Sequence, residues 1–462
     1  MKFALGIVIA LLFSGCVQRG ERIKVDQAPL PASYKSAIPA SGGDISESGN
    51  FGSSELTRLL REASEQSPDL LSALERAKQA EYALKGAYAS NLPSLNLSGR
   101  TSLQSSNVEA RRHSGNASLA MSYDLDLFGR NSALRRALEA GVKVSEYDVE
   151  YAKLTLFSAI MEGYFRYLGA KEQIALTKEE FASAQKTMQI IIKRHSHGAV
   201  SALDVSLQKG ALLAKEATLL SLELRKEQYF NALAILLGST PQDFRLETSE
   251  HLGDLKMGEI KREIPSRLLV RRPDVASALA RIEVNEAHAD EAYAALFPSF
   301  SLTLSGTLSN TSSLLSNPSR VFSASLDTLV NLFDRDKLKY TLLSEKSKIK
   351  AALQNYRKVL LEVLKEVEDA SVGILYYAKL EHLQEEQIAQ ARHSFEIASA
   401  RYQEGAIDIV SLLETQRSLF SAQKEGIELR LSQLLAHVAL YRALGGNREK
   451  EEQKENAKIP SQ

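Results

Sequence analysis

The chain has 462 residues, is 44% hydrophobic and balances 57 basic against 57 acidic side chains. That balance excludes a nucleic-acid binder driven by bulk charge, leaving only a local patch open. A single cysteine excludes internal disulfides and a cysteine-built zinc knuckle; 25 Gly with 11 Pro exclude collagen-like or wholly low-complexity chains.

At the N-terminus, Lys2 precedes an apolar run, Phe3 to Phe13, and then Ser14-Gly15-Cys16. A basic start, a short apolar core and small residues at the cut predict a secretory signal peptide over residues 1–15. The run is too short for a spanning helix, which takes ~20 apolar residues. Its end resembles a bacterial lipobox, which implies that Cys16 becomes the acylated first residue of the mature chain. Val17 follows, with no Asp beside the cysteine to suggest inner-membrane retention, so the outer membrane is expected. Residues 16–53, with Pro29, Pro31 and Pro39, read as a lipidated linker. Residues 447–462 read as a charged, flexible tail.

Between these ends lies an internal repeat. Pro68-Asp69, Pro93, Leu97, Phe128 and Arg130 recur 205 positions later as Pro273-Asp274, Pro298, Leu302, Phe333 and Arg335. Arg194, Gly198, Ala199, Leu237 and Gly238 recur 207 positions later as Arg401, Gly405, Ala406, Leu444 and Gly445. The repeats are assigned to residues 54–264 and 265–446.

Each repeat shows the same order of elements. Pro68 and Pro273 suit a first helical turn, where the missing N–H costs nothing, and helices run to about Ser90 and Ala295. Pro93 and Pro298 force extended backbone just upstream. Strict alternation follows: Leu95, Leu97, Thr101, Leu103 against Asn96, Ser98, Arg100, Ser102, then Phe300, Leu302, Leu304, Leu308 against Ser301, Thr303, Ser305, Thr307. Such alternation marks strands with two unlike faces, and return strands are expected at Ala117–Leu125 and about Val321–Leu329. Long helices follow at about 131–194 and 335–403, the second with a coiled-coil seam from Ile349 to Tyr377. Shorter helices come at about 201–237 and 408–444, capped by Ser201 and Asp408, with Leu413, Phe420, Ile427, Leu434 and Tyr441 at seven-residue steps. At 1.5 Å per residue the first long helix spans roughly 96 Å.

The strands have about the length that crosses a membrane at a tilt, and their alternation fits a lipid face and a wet lumen. Open sheet edges do not survive in lipid, so four strands per chain must close with strands of other chains. A conducting interior takes at least three chains, because eight strands leave a space just filled by side chains. A soluble hairpin at the end of a helical bundle is the competing expectation.

At these residues the chain resembles a known family. YDLDLFGR (Tyr123–Arg130), the block from Leu268 to Ser305 with its RRPD and LFPS, RYQEGAIDIVSLLETQRSLFSAQ (Arg401–Gln423) and LYRALGG (Leu440–Gly446) resemble the TolC-like outer-membrane efflux channel lipoproteins, the NodT-like branch serving RND-type pumps. The resemblance covers roughly residues 54–446. It implies a mostly α fold with a small β part: a long α-helical coiled-coil barrel continuous with an antiparallel transmembrane β-barrel completed by trimerisation. It implies a homotrimer in outer-membrane lipid, a periplasmic adaptor and an inner-membrane RND transporter as partners, and no nucleic acid. Cys16 would carry diacylglycerol and a fatty acyl chain; no cofactor, metal or catalytic residue is expected, and no phosphate-binding glycine loop is present.

Two sets of residues stand out. Gly198, Ala199, Val200, Gly405, Ala406 and Ile407 occupy the helix-to-helix turns that, by resemblance, meet the adaptor. Val410, Glu414 and Arg417 fall on one helical face; by resemblance Val410 and Glu414 constrict the resting channel, while Arg401 and Arg417 hold it closed. Three copies of Glu414 around an axis would form a cation-favouring acidic ring; a solvated Glu414 paired locally with Arg417 is the plainer alternative. His195 and His197, two apart on a helix, diverge, and His288 with Asp290 and Glu291 reads as a polar helix face. The leading function is a passive export duct for small molecules. A type I secretion duct for polypeptides shares the fold, and a lipid-anchored periplasmic scaffold is the alternative of a different class.

Overall fold

The computed structural model describes residues 51–104, 112–257, 272–310, 319–330 and 333–446. The signal segment, Cys16, nearly all of the expected linker and the charged tail lie outside the described residues. Helices α1 (Ser54–Gln66) and α2 (Pro68–Ser90) precede strands β1 (Ser94–Gln104) and β2 (Arg112–Leu125), then helices α3 (Arg130–Ser196) and α4 (Ala202–Leu236). The second repeat gives α5 (Pro273–Ala294), β3 (Ser299–Asn310), β4 (Ser319–Leu329), α6 (Arg335–Gln403) and α7 (Ile409–Ala443). Two compact units divide the chain: Ala77–Ser145 with Ser277–Arg357, and the described parts of Pro29–Arg76, Glu146–Ala276 and Lys358–Gln462.

The first unit holds one four-stranded antiparallel sheet, ordered β1-β2-β3-β4. Its register keeps like faces together. Leu97 pairs with Leu119, Leu119 with Gly306, and Gly306 with Phe322. One row therefore runs across all four strands on the apolar side. On the other side Ser98 pairs with Ser118, Ser118 with Thr307, and Thr307 with Val321. Hydroxyls link neighbouring strands there: Ser102 Oγ to Ser114 Oγ at 2.6 Å, Ser118 Oγ to Thr307 Oγ1 at 3.1 Å and Ser305 Oγ to Ser323 Oγ at 2.8 Å. A one-residue slip would exchange the faces, which is why the alternation fixes the register. Val321 and Leu329 interrupt the polar row of β4. The Phe322 ring covers Gly306, where an added Cβ would lie 3.2 Å from it.

In the second unit, the helix α1 was not expected beyond the linker. Its residues Leu56, Leu59, Leu60 and Ala63 fall at helical spacing and are buried, and Ser53 caps it, its Oγ accepting from Leu56 N at 2.9 Å. Phe51 and Ser53 are themselves buried, and the Phe51 ring meets Phe165 edge-on at 5.0 Å. Packing thus begins before residue 54. Around α1 close Ile160, Tyr164, Phe165 and Leu168 of α3, Leu233 and Leu237, Phe244 and Leu252, and Leu434 and Val438 of α7. Each such side chain contributes roughly 1.5–3 kcal/mol by leaving water.

The coiled-coil seam of α6 is realised. Ile349, Tyr356, Leu360, Val363, Val367 and Ala370 are buried, with Leu353, Ile374 and Tyr377 half-buried. Val367 and Ala370 pack on Leu440 and Ala443 of α7. No helix among the described residues is long and apolar enough to cross a membrane.

Candidate functional site

The two helix-to-helix turns are built alike. Gly198 (φ +75°) and Gly405 (φ +76°) take the left-handed backbone that ends a helix. Gly198 N donates to His195 O and Ala199 N to Arg194 O, both at 2.9 Å; Gly405 N donates to Tyr402 O at 3.1 Å and Ala406 N to Arg401 O at 2.9 Å. This double bond pattern satisfies the last carbonyls of α3 and α6. The next helices start on side-chain caps. Ser201 and Asp204 bond reciprocally, and Asp408 Oδ1 accepts from Ser411 N at 2.9 Å. Hydrogen bonds from the Ser411 side chain and backbone hold the Asp408 carboxyl below its ordinary value.

Beneath the turns lies an apolar cluster of Ile191, Ala398, Tyr402, Ile409 and Leu412, onto which Val200 and Ile407 fold back. Of the six expected docking residues, Gly198, Ala199, Gly405 and Ala406 are exposed, whereas Val200 and Ile407 are half-buried. The first turn is tied to the second by Arg194, whose guanidinium sits 4.4 Å over the Tyr402 ring and donates to Tyr402 O at 3.0 Å. The Tyr402 hydroxyl is buried without a partner among the described residues. Pattern reading missed this clamp because its halves lie 208 residues apart.

On α7, Ile409, Leu412, Gln416 and Leu419 are buried. Val410, Glu414 and Arg417 form the opposite, exposed stripe, as expected from their spacing, and Arg401, in the last turn of α6, is exposed as well. Among the described residues no ion pair joins Glu414 to Arg417, so the local pair weighed from sequence is absent from the described chain. The histidines are engaged elsewhere: His195 Nδ1 lies 3.0 Å from Val200 O, and His197 Nδ1 2.7 Å from Lys193 O. Asp290 accepts from Arg136 at 2.9 Å and Glu291 lies 3.3 Å from His288. Among the described residues no His, Cys, Asp and Glu side chains are grouped to hold a metal.

The RRPD block has a structural role that spacing did not disclose. Arg272, 3% exposed, forks onto Asp274 at 2.9 and 2.6 Å, reaches Glu366 at 2.6 Å and Ala443 O at 3.3 Å. It thus joins the start of α5, the middle of α6 and the end of α7. Despite burial, the two carboxylates raise its pKa above the ordinary value.

Residues 59–239 and 264–446 match the family described as outer membrane efflux protein. The chain belongs to that family. Two relatives and one solved structure illustrate the kinship of this outer membrane efflux protein. It is 32% identical over 436 residues to the pyoverdine export outer membrane protein OpmQ of Pseudomonas aeruginosa, covering 91% of each chain. It is 30% identical over 333 residues to the probable efflux pump outer membrane protein TtgC of Pseudomonas putida, covering 70% of this chain and 67% of that one. A crystal structure of a membrane protein from Pseudomonas aeruginosa superposes with a TM-score of 0.81 at 28% identity, over 90% of this chain and 98% of that one. As an efflux-family chain it carries two tandem copies of the family unit, the repeat seen in its sequence.

Proposed function

We propose that three copies of this chain close a twelve-stranded barrel in the outer membrane, and that this homotrimer is a passive duct exporting small molecules. The single observation that carries the reading is the register of the sheet, which gathers most apolar side chains on one face and the hydroxyls on the other, Val321 and Leu329 apart. Such a sheet suits lipid outside and water inside, and its two free edges demand further copies. Kinship to proteins named for pyoverdine export and for an efflux pump supports small-molecule cargo over polypeptide secretion.

In this reading the duct performs no chemistry. Energy comes from an inner-membrane RND transporter, reached through a periplasmic adaptor that meets Gly198, Ala199, Gly405 and Ala406, with Val200 and Ile407 shaping the surface from beneath. Val410 and Glu414 form the constriction, and Arg401 and Arg417 hold it closed. Cys16, acylated, anchors the chain; labelled fatty acid should enter the wild-type chain and not Cys16→Ala. Planar-bilayer recording on purified protein tests the whole reading. Stable unitary conductance is expected, and a trimer with none would point to a periplasmic scaffold.

A further inference from the structure

We propose that a hollow on the apolar face of the sheet, with Arg320 at its mouth, holds an acyl chain of a phosphorylated outer-leaflet lipid, the lipid phosphate resting on the guanidinium. The inference rests on the barrel reading above, which turns this face to lipid, and gives that face a specific occupant.

Three rows of paired residues frame the hollow. Leu119–Gly306–Phe322 forms its middle, Met121–Leu304–Ala324 one end, and Leu308–Arg320 the other. Gly306 leaves β3 bare between Leu304 and Leu308, with Leu119 on one side and the Phe322 ring on the other. Ala324 keeps the next position of β4 low. The cavity lined by these residues holds about 900 Å³, within the roughly 300–1,000 Å³ of ligand clefts. The repeat supplies a control. The 205-position offset turns Arg320 into Gly115, Phe322 into Ala117 and Gly306 into Thr101. The first hairpin thus has neither the cation nor the ring nor the gap, so a barrel wall does not itself require them.

Arg320 is the one Arg, Lys, Asp or Glu on this face among the described residues of the four strands; Arg100, Asp124 and Asp327 take the polar face. It is exposed and makes no hydrogen bond or ion pair with a described residue. An arginine on a lipid-facing wall is costly at the midplane and tolerated near an interface. β4 runs from Ser319 to Leu329 and then leads into α6, so Arg320 stands at the end remote from the helices. At about 3.3 Å per residue and a tilt of about 40°, the climb from Leu329 to Arg320 is roughly 23 Å, close to the height of an apolar band. Arg320 therefore meets the outer headgroup layer. A guanidinium takes phosphate in a charge-assisted fork, and a chain descending from that phosphate enters the slot between Leu119 and Phe322.

Full-length trimers stripped of lipid in detergent should be titrated with lipid A, a bisphosphorylated acylated disaccharide, and with diacylglycerol, which has no phosphate. Native mass spectrometry counts the lipids retained. Wild type should hold up to three lipid A molecules per trimer, and Arg320→Gln should need about tenfold more lipid for the same count. Arg320→Lys should keep part of the affinity. Ala324→Phe, which fills the hollow and leaves Arg320 in place, should lose binding as well. Equal counts for wild type and both Arg320→Gln and Ala324→Phe, or equal uptake of diacylglycerol and lipid A, would overturn the site. Trimers that still conduct would then leave the barrel reading standing, whereas a wild type that neither trimerises nor conducts would sink both.

Discussion

Arg272 Nη1 donates to Glu366 Oε2 at 2.6 Å, although 94 residues separate them, and the same nitrogen reaches Ala443 O at 3.3 Å. Removing the cation would leave Asp274 and Glu366 facing each other at a helix C-terminus. The carboxylates left behind are 19% and 37% exposed, so solvent screens part of their repulsion and the cost falls below the ~3–5 kcal/mol of a fully buried pair. Arg272→Ala should lower the denaturant midpoint sharply. Arg272→Lys should restore only part of it, since an ammonium cannot fork onto Asp274. Equal midpoints for wild type and Arg272→Ala would remove the clamp from the account.

Two glycines with the same backbone offer a graded test. Gly198 and Gly238 both have φ near +75°, but an added Cβ meets nothing within 4 Å at Gly198 and lies 2.5 Å from Gln66 O at Gly238. Gly198→Ala should cost about 1 kcal/mol, the left-handed strain alone. Gly238→Ala should cost clearly more, because α1 must shift. Thermal midpoints of the two variants would check the order.

Charge placed on the exposed part of the turns should separate export from assembly. Ala199→Glu with Ala406→Glu leaves the apolar cluster under Val200 and Ile407 untouched. Export of a fluorescent pump substrate from cells should fall to background while trimers persist on native gels. Normal export would exclude these turns as the adaptor surface.

The stripe on α7 predicts electrical behaviour. Arg401→Ala with Glu414→Ala should raise single-channel conductance of purified trimers. Glu414→Gln alone should lower cation preference, read as a shift of reversal potential in a salt gradient. Unchanged conductance and selectivity would free both residues from the constriction.

Burial pushes the imidazole of His437 below its ordinary value, against a modest upward pull from Gln433 O, 2.8 Å from Nδ1. The folded state therefore binds the proton less readily than the unfolded state. The stability this contributes is present above the ordinary histidine value of about 6.5 and is lost as pH falls through the lower folded value. The unfolding midpoint should drop as pH falls below about 6.5, and His437→Gln should flatten that slope. Parallel slopes would assign the acid sensitivity to other groups.

The legible part of the fold was whatever carries a period. Alternation at Leu95–Leu103 and Phe300–Leu308 gave the strand faces, and the spacing from Ile349 to Ala370 gave the seam of α6. Helix α1 had a readable pattern in Leu56, Leu59, Leu60 and Ala63, but its 13 residues are hard to tell from the end of a linker. The segment before the second repeat had no pattern to read. Phe244, Leu246 and Leu255 are buried without regular structure, held by Lys171 on Thr248 O at 2.6 Å and Arg430 on Leu255 O at 2.8 Å. Those partners come from distant helices, so no local window contains them. For the same reason the turns and the Val410 stripe were visible in sequence, while the Arg194–Tyr402 clamp beneath them was not.

The two hairpins do not share one stagger. Ser94 pairs with Ser122, but its counterpart Ser299 pairs with Leu329, two residues beyond Asp327, the counterpart of Ser122. A step of two returns every side chain to its own face, whereas a step of one would turn serines outward and leucines inward. Gene-level length changes in these strands should therefore survive in even counts. A single-codon deletion within β3 should be far more damaging than deletion of two adjacent codons, making the sheet a record of parity as much as of composition.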